Sequence, residues 1–239
     1  MAKIYTVMSG KGGVGKSSIS IMVATILSQA HRVLLLDFDV AAPSVSCGFK
    51  ITGKVIQGET GLIPIRVTPY LYVLSMALMT NPEDAIIWRA PKKIITASLF
   101  FDAIRHDNYD YVVIDTPPGI TELHEFIADK KEEIEALIVT TPQNIALSDT
   151  LSSIEFCKSR NIKIKWLVEN MSGFTCENCG VRQNIFASKG GEILAKEMGV
   201  IYIGAIPIEP MLGKYIDDGI FLDHFKSLKA YEILKDNVF

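Results

Sequence analysis

The sequence predicts an α/β protein built on a doubly wound, mostly parallel sheet. Three observations carry that reading. Short apolar runs alternate with segments of helical spacing along nearly the whole chain, a glycine-rich loop joins the first run to a helical one, and acidic residues stand at the ends of two later runs. No linker or internal repeat divides the 239 residues, so one domain over 1–239 is expected. The 49% hydrophobic and 21% charged content suits a sheet covered on both faces. A formal net charge of -3 gives no overall attraction to nucleic acid or acidic lipid, and neither is expected as a partner. No apolar run is long enough to span a bilayer and no leader pattern opens the chain, which places the expectation in the cytoplasm.

The first strand is Ile4 to Met8, and an apolar helix follows from Ile19 to Leu27. Between them lies Ser9-Gly10-Lys11-Gly12-Gly13-Val14-Gly15-Lys16-Ser17-Ser18, in which Gly10, four residues, then Gly15, Lys16 and Ser17 satisfy the P-loop pattern. Backbone N–H groups at a helix N-terminus wrap a polyphosphate, and the glycines let the chain approach its oxygens. Lys16 supplies a point charge for the β and γ phosphates of ATP, and the Ser17 hydroxyl is a hard oxygen suited to Mg2+. Lys11, a second lysine just after the first glycine, resembles the signature of the deviant P-loop ATPases, the class of the nitrogenase iron protein and the Min and Par proteins. That resemblance implies that Lys11 reaches the nucleotide of a partner subunit, so that ATP lies between two subunits.

Arg32 to Leu36 reads as a buried strand ending in Asp37 and Asp39, at the edge where open α/β sheets bind ligands. Asp37 suits an outer-shell role toward Mg2+, and Asp39 suits positioning of the attacking water. Residues 48–70, rich in glycine and proline, read as a loop with a small hairpin. Tyr70 to Ser75 is a strand. Pro91 to Arg105 has helical spacing, opened by Trp88 and Arg89, with Ile94, Ile95, Leu99 and Ala103 on one face. The strand Tyr109 to Ile114 delivers Asp115, a Walker B carboxylate that holds Mg2+ through water, followed by a stiff Thr116-Pro117-Pro118-Gly119 switch. Leu123 to Glu135 reads as a helix whose charged run faces solvent. Strands follow at Ala136 to Thr140 and Ile162 to Glu169, flanking a helix from Ser148 to Arg160. The last strand is Ile201 to Ile206, and the chain is largely helical from Tyr215.

Cys176 and Cys179 form the chain's C-x-x-C, while Cys47 and Cys157 stand alone. A tetrahedral thiolate site needs four ligands, so one pair is half a site. A two-fold dimer meeting through this loop supplies the other half, for a shared 4Fe-4S cluster or a shared Zn2+.

These motifs together resemble the Mrp/ApbC family, which includes the cytosolic iron-sulfur assembly scaffold ATPases, over nearly the whole length. The matching stretches are GKGGVGKS, LLDFDVAAPS, IIWRAPKK, VVIDTPPG, the VENMSGF segment with its cysteines, KGGEILAKEMGV and GAIPIEP. The resemblance implies a dimeric carrier that assembles a labile 4Fe-4S cluster on paired C-x-x-C motifs and hands it to apo iron-sulfur proteins, with slow ATP hydrolysis governing loading or release. It implies an adenine contact for Asn170, and a working unit that is a homodimer or a heteromer with a longer scaffold ATPase. The chain has no N-terminal cysteine quartet and so resembles the short scaffold subunit, or a bacterial or archaeal Mrp protein. It departs from the family at Glu177, where a proline is usual, at Ala41 and Ala42, where Tyr-Gly is usual, and at Ile120-Thr121-Glu122, where a threonine, a small residue and an aspartate are usual. Two other readings stand beside this one: a Min or Par type spatial switch, which needs a basic surface that the acidic residues of the C-terminal segment offset, and a dimer stapled by structural zinc.

Overall fold

A computed structural model describes residues 2–39, 44–58, 61–79, 89–105, 109–130, 133–176 and 178–239. The first half runs β1 (Lys3–Met8), α1 (Lys16–Leu27), β2 (Val33–Asp37), α2 (Ser44–Gly48), β3 (Ile56–Gly58), β4 (Gly61–Ile63), β5 (Ile65–Arg66) and β6 (Leu71–Ser75). It continues with α3 (Ala90–Arg105), β7 (Tyr111–Asp115), α4 (Glu122–Ala128), β8 (Ile134–Thr140), α5 (Asn144–Ser159) and β9 (Lys163–Glu169). The last part comprises β10 (Phe174–Thr175), β11 (Arg182–Gln183), α6 (Gly190–Met198), β12 (Tyr202–Ala205), α7 (Pro210–Asp217), α8 (Phe221–His224) and α9 (Lys229–Leu234).

Eight strands form one sheet in the order β12-β9-β8-β1-β7-β2-β6-β5. Every pairing is parallel except β5 with β6 at the edge. The chain leaves β1 toward β2 and β6, returns with β7, then crosses to β8 on the other side of β1. The strand order therefore reverses around β1, and a crevice opens there at the carboxyl ends of the strands.

Alternation along the strands sorts the core onto two faces. Tyr5, Val7, Val33, Leu35 and Val113 pack with α1, α2 and the C-terminal helices. Ile4, Leu34, Leu36, Val112 and Ile114 pack with α3 and α4, while Met8, Ala136 and Ile138 pack with α5 and α6. With both faces covered, the central strands are apolar throughout, as parallel strands must be. Ten of the twelve residues of α1 are buried, because sheet lies on one side of it and α2, α7 and α9 on the other. No helix among the described residues is long and apolar enough to cross a membrane.

Two expectations need correction, the extent of the helix after β7 and the buried face of α3. The helix expected over 123–135 ends at Ala128, and the strand after it starts at Ile134 rather than Ala136, because β8 follows β1 in register from Ile4 paired with Ile134. The segment 44–48, not anticipated as helical, forms α2. Ile95 lies off the buried face of α3 and is exposed, while Ala97, Phe100 and Phe101 fill the core beneath. The C-terminal segment is three short helices with a 3-10 turn between the second and third. The small hairpin expected within 48–70 is present as β3 against β4. Trp88, Val40, Ala41, Ala42, Pro43 and Glu177 lie outside the described residues.

Candidate nucleotide site and cysteine hairpin

The loop between β1 and α1 sits on the sheet crevice. Gly15 caps α1 with φ 87°, a left-handed conformation, and a Cβ there would also collide with the side-chain amide of Asn170. Gly10 lies so close to α5 that a Cβ would run into the backbone of Asp149. Asn170 holds the loop from outside, its Nδ2 donating to the Val14 carbonyl at 2.8 Å. Gly12 faces Pro118, whose segment is tied to the loop's origin. Thr116 Oγ1 donates to the Val7 carbonyl at 2.8 Å, and Gly119 N–H donates to the Ser9 carbonyl at 3.0 Å.

The first side chain of α1 is the buried Lys16. Its Nζ meets Asp115 Oδ1 at 2.6 Å, and Ser20, one turn further along, donates to the same oxygen at 2.8 Å. Asp115 Oδ2 is buried with no hydrogen-bond partner. Such an orphaned carboxylate oxygen, beside the lysine and serine that open a helix, is the kind of group a hydrated cation satisfies. Register places Asp37 directly beside Asp115 across the β2–β7 pairing. Asp37 is fully buried, and burial together with the neighbouring Asp115 carboxylate pushes its pKa well above the usual range. Ser75 Oγ at 2.7 Å and the Asp39 N–H at 3.0 Å stabilise its ionised form and oppose that push.

A cavity of about 250 Å³ opens above these groups, with Lys11, Gly12, Gly13, Gly15, Lys16, Ser17, Ser18, Asp39 and Pro118 on its walls. The P-loop, Asp39 and the switch segment are thus brought together as expected. Asp37 and Asp115 are fully buried and do not line the cavity, Asp37 held by Ser75 and the Asp39 N–H and Asp115 by Lys16 and Ser20. Asn170 reaches the P-loop backbone through its amide.

The cysteine pair stands elsewhere on the same sheet edge. β10 and β11 pair as a short antiparallel hairpin, Phe174 with Gln183 and Thr175 with Arg182. At its tip Cys176 N–H donates to the Val181 carbonyl at 3.0 Å, and Gly180 N–H donates to the Cys176 carbonyl at 2.8 Å, closing the turn. Cys176 is half-buried and Cys179 exposed, and neither is in a disulfide. Among the described residues no group of three or more His, Cys, Asp or Glu side chains could hold a metal ion. Cys157 is a core residue whose thiol burial pushes up to about 12, and it packs on Met8 Sδ at 3.7 Å.

Three participants escaped the sequence reading. Ser20 was legible only as the residue four after Lys16 on a helix, which puts both on one face. Ser75 is the last residue of a strand beside β2, at the level of Asp37. Arg182 carried no signal until the hairpin returned it to the base of the cysteine turn.

Sheet order, loop and buried lysine leave one class for this chain, the P-loop NTPase. The family described as NUBPL iron-transfer P-loop NTPase matches residues 1–238, and the chain belongs to that family. Among curated relatives it is 42% identical over 218 residues to a Drosophila ananassae protein named cytosolic Fe-S cluster assembly factor Nubp2 homolog, covering 88% of this chain and 84% of the relative. It is 36% identical over 240 residues to the Bos taurus cytosolic Fe-S cluster assembly factor NUBP2, covering 97% and 89%. Among solved structures it resembles a nucleotide-binding protein from Archaeoglobus fulgidus in complex with ADP, with TM-score 0.79, 28% identity, and coverage of 93% of this chain and 88% of that one. The MinD cell division protein of Aquifex aeolicus shares the fold, with TM-score 0.68 at 22% identity over 99% and 95% of the two chains.

Proposed function

We propose that this protein is an ATP-dependent scaffold that assembles a 4Fe-4S cluster at a dimer interface and transfers it to apo iron-sulfur proteins. The observation that carries the reading is a P-loop and a hairpin bearing two free C-x-x-C thiols on one protein, the hairpin following strand β9 of the sheet that carries the loop. The names of the curated relatives, both iron-sulfur assembly factors called cytosolic, support the same role and a cytoplasmic location. We take the whole chain as one domain, in keeping with its continuous sheet.

The backbone of Gly10 to Ser18 receives the polyphosphate, Lys16 neutralises its β and γ oxygens, and Lys11 serves the partner subunit's nucleotide. Ser17 and Asp115 would hold Mg2+, with the unpartnered Asp115 Oδ2 as the fitting acceptor. When bound, the cation would supply neutralisation of the polyphosphate's negative charge. Asp37 supports Asp115, Asp39 orients water from the cavity wall, and Asn170 serves the adenine side while bracing Val14. Two copies of Cys176 and Cys179 across a two-fold axis complete the cluster's ligand set, within a homodimer or with a longer scaffold ATPase.

A transfer assay tests this. Reconstituted protein, incubated with an apo 4Fe-4S acceptor, is expected to load it faster with Mg-ATP than without, and Lys16→Ala should abolish the nucleotide effect while keeping the cluster. Equal transfer with and without ATP in the wild type would contradict the coupled scaffold.

A further inference from the structure

The P-loop and the cysteine hairpin share an anchor in Glu169 to Gly173, the last residue of β9 and the four that follow it. Asn170 donates its amide to Val14 at 2.8 Å and its backbone N–H to the Thr140 carbonyl at 2.7 Å. Two residues on, the Ser172 carbonyl accepts from Arg182 Nη2 at 2.8 Å. Arg182 is the β11 residue paired with Thr175, immediately before Cys176. One short stretch of backbone therefore touches the nucleotide loop on one side and the base of the cysteine turn on the other.

This stretch is held fast. The fully buried Glu169 carboxylate accepts from Ser172 Oγ at 2.7 Å and from Gly191 N–H at 2.6 Å, at the head of α6. Ser172 N–H donates to the Ile206 carbonyl and Ile208 N–H to the Gly173 carbonyl, each at 2.8 Å. Met171 sits between at φ 55°, a left-handed conformation that a methionine keeps only where its surroundings enforce it. Gly173, at φ 78°, lies against Arg182, whose Nε would stand 3.1 Å from a Cβ placed there. Strain and close approach concentrate where the two sites meet.

We propose that Glu169 to Gly173 is a rigid bridge coupling the P-loop to the cysteine hairpin, with Arg182 as the positioning residue that passes hairpin geometry to it. The proposal rests on the nucleotide and cluster sites proposed above. The switch segment makes a separate connection, with Thr116 bonded to Val7 and Gly119 to Ser9. A P-loop rearranged around polyphosphate loads or releases the bond from Asn170 to the Val14 carbonyl, and because the segment is held at Thr140, Gly191, Ile206 and Ile208 that load passes along it to the Ser172 carbonyl and Arg182. Linkage then requires that filling the cysteine site change nucleotide affinity by the same factor that nucleotide changes cluster affinity.

The test measures the dissociation constant of a non-hydrolysable ATP analogue with Mg2+, for metal-free and for anaerobically reconstituted protein, in the wild type, Arg182→Ala and Arg182→Lys. The wild type is expected to show at least about a fivefold difference between the two forms. Arg182→Ala should bind the analogue without metal as the wild type does and take up the cluster, yet lose most of that difference, and Arg182→Lys, which keeps a donor for the Ser172 carbonyl, should retain it. An undiminished difference in Arg182→Ala overturns the bridge, as does a wild type that binds both ligands with no coupling. A wild type that takes up no cluster or no analogue instead overturns the scaffold function on which the bridge depends.

Discussion

Lys16 and Asp115 form a buried ion pair at the base of the nucleotide site, and its energetics are separable from nucleotide binding. Removing one partner leaves the other charge buried and uncompensated, at a cost of about 3–5 kcal/mol, whereas replacing both with neutral groups costs far less. Lys16→Met is therefore expected to lower stability in urea by about that amount, and Lys16→Met with Asp115→Asn to recover most of the loss. Additive losses in the double variant would mean that the pair contributes nothing as a pair. Gly15→Ala meets two obstacles at once, a left-handed backbone and the amide of Asn170, and should cost on the order of 1–2 kcal/mol or more while disturbing the loop. Urea midpoints of Gly15→Ala against wild type, and of the double variant against Asn170→Ala, separate the two, since the collision is absent from the second pair and the loss of the Asn170–Val14 bond is common to both of its members.

At the scale of elements, α4 begins with a capping box in which Thr121 and His124 take the places usually held by serine or threonine and glutamate. His124 Nδ1 accepts from the Thr121 N–H at 3.1 Å, and Nε2 is buried without a partner. Burial first, and then the positive Lys16, lowers the pKa of His124 to about 4. A group whose folded pKa lies below its unfolded value of about 6.5 stabilises the fold fully above pH 6.5, and that contribution is lost as pH falls toward 4. The whole effect is on the order of 3 kcal/mol. Stability followed by denaturant from pH 7 to pH 4 should decline, and His124→Gln, which keeps an acceptor for the cap, should flatten the curve. In α1 the packing is nearly all-round, so Ile21→Ala is expected to cost about 2–5 kcal/mol in the same assay.

Elements were legible in proportion to how far local pattern decided them. The P-loop, the apolar strands and the carboxylates at their ends could be read because glycine spacing and alternation mirror direct physical demands. The end of α4 could not, because the charged residues after Ala128 are compatible with helix, and only the pairing of Ile134 with Ile4 draws the chain into the sheet. The short α2 was hidden behind glycines that read as loop. Within the site, Asp37, Asp115 and Lys16 were foreseeable, while Ser20, Ser75 and Arg182 depend on which strands and turns become neighbours. Asn170 was placed by resemblance, and its bond to Val14 belongs to tertiary structure alone.

For the whole molecule, the sheet reverses around β1 and gathers the nucleotide loop, the switch segment and the cysteine hairpin on one edge. Each chain carries a full phosphate loop and two thiols in its hairpin, so the proposed cluster requires a second chain to supply the other two ligands. The most direct measurement is iron, sulfide and zinc per dimer, with an optical spectrum, after anaerobic reconstitution of the wild type beside the Cys176→Ala, Cys179→Ala double variant. About four irons and four sulfides per wild-type dimer are expected, with broad absorption at ~400 nm, and neither in the variant. About one zinc per dimer that iron cannot replace, or a cluster retained without the two cysteines, would contradict the shared cluster.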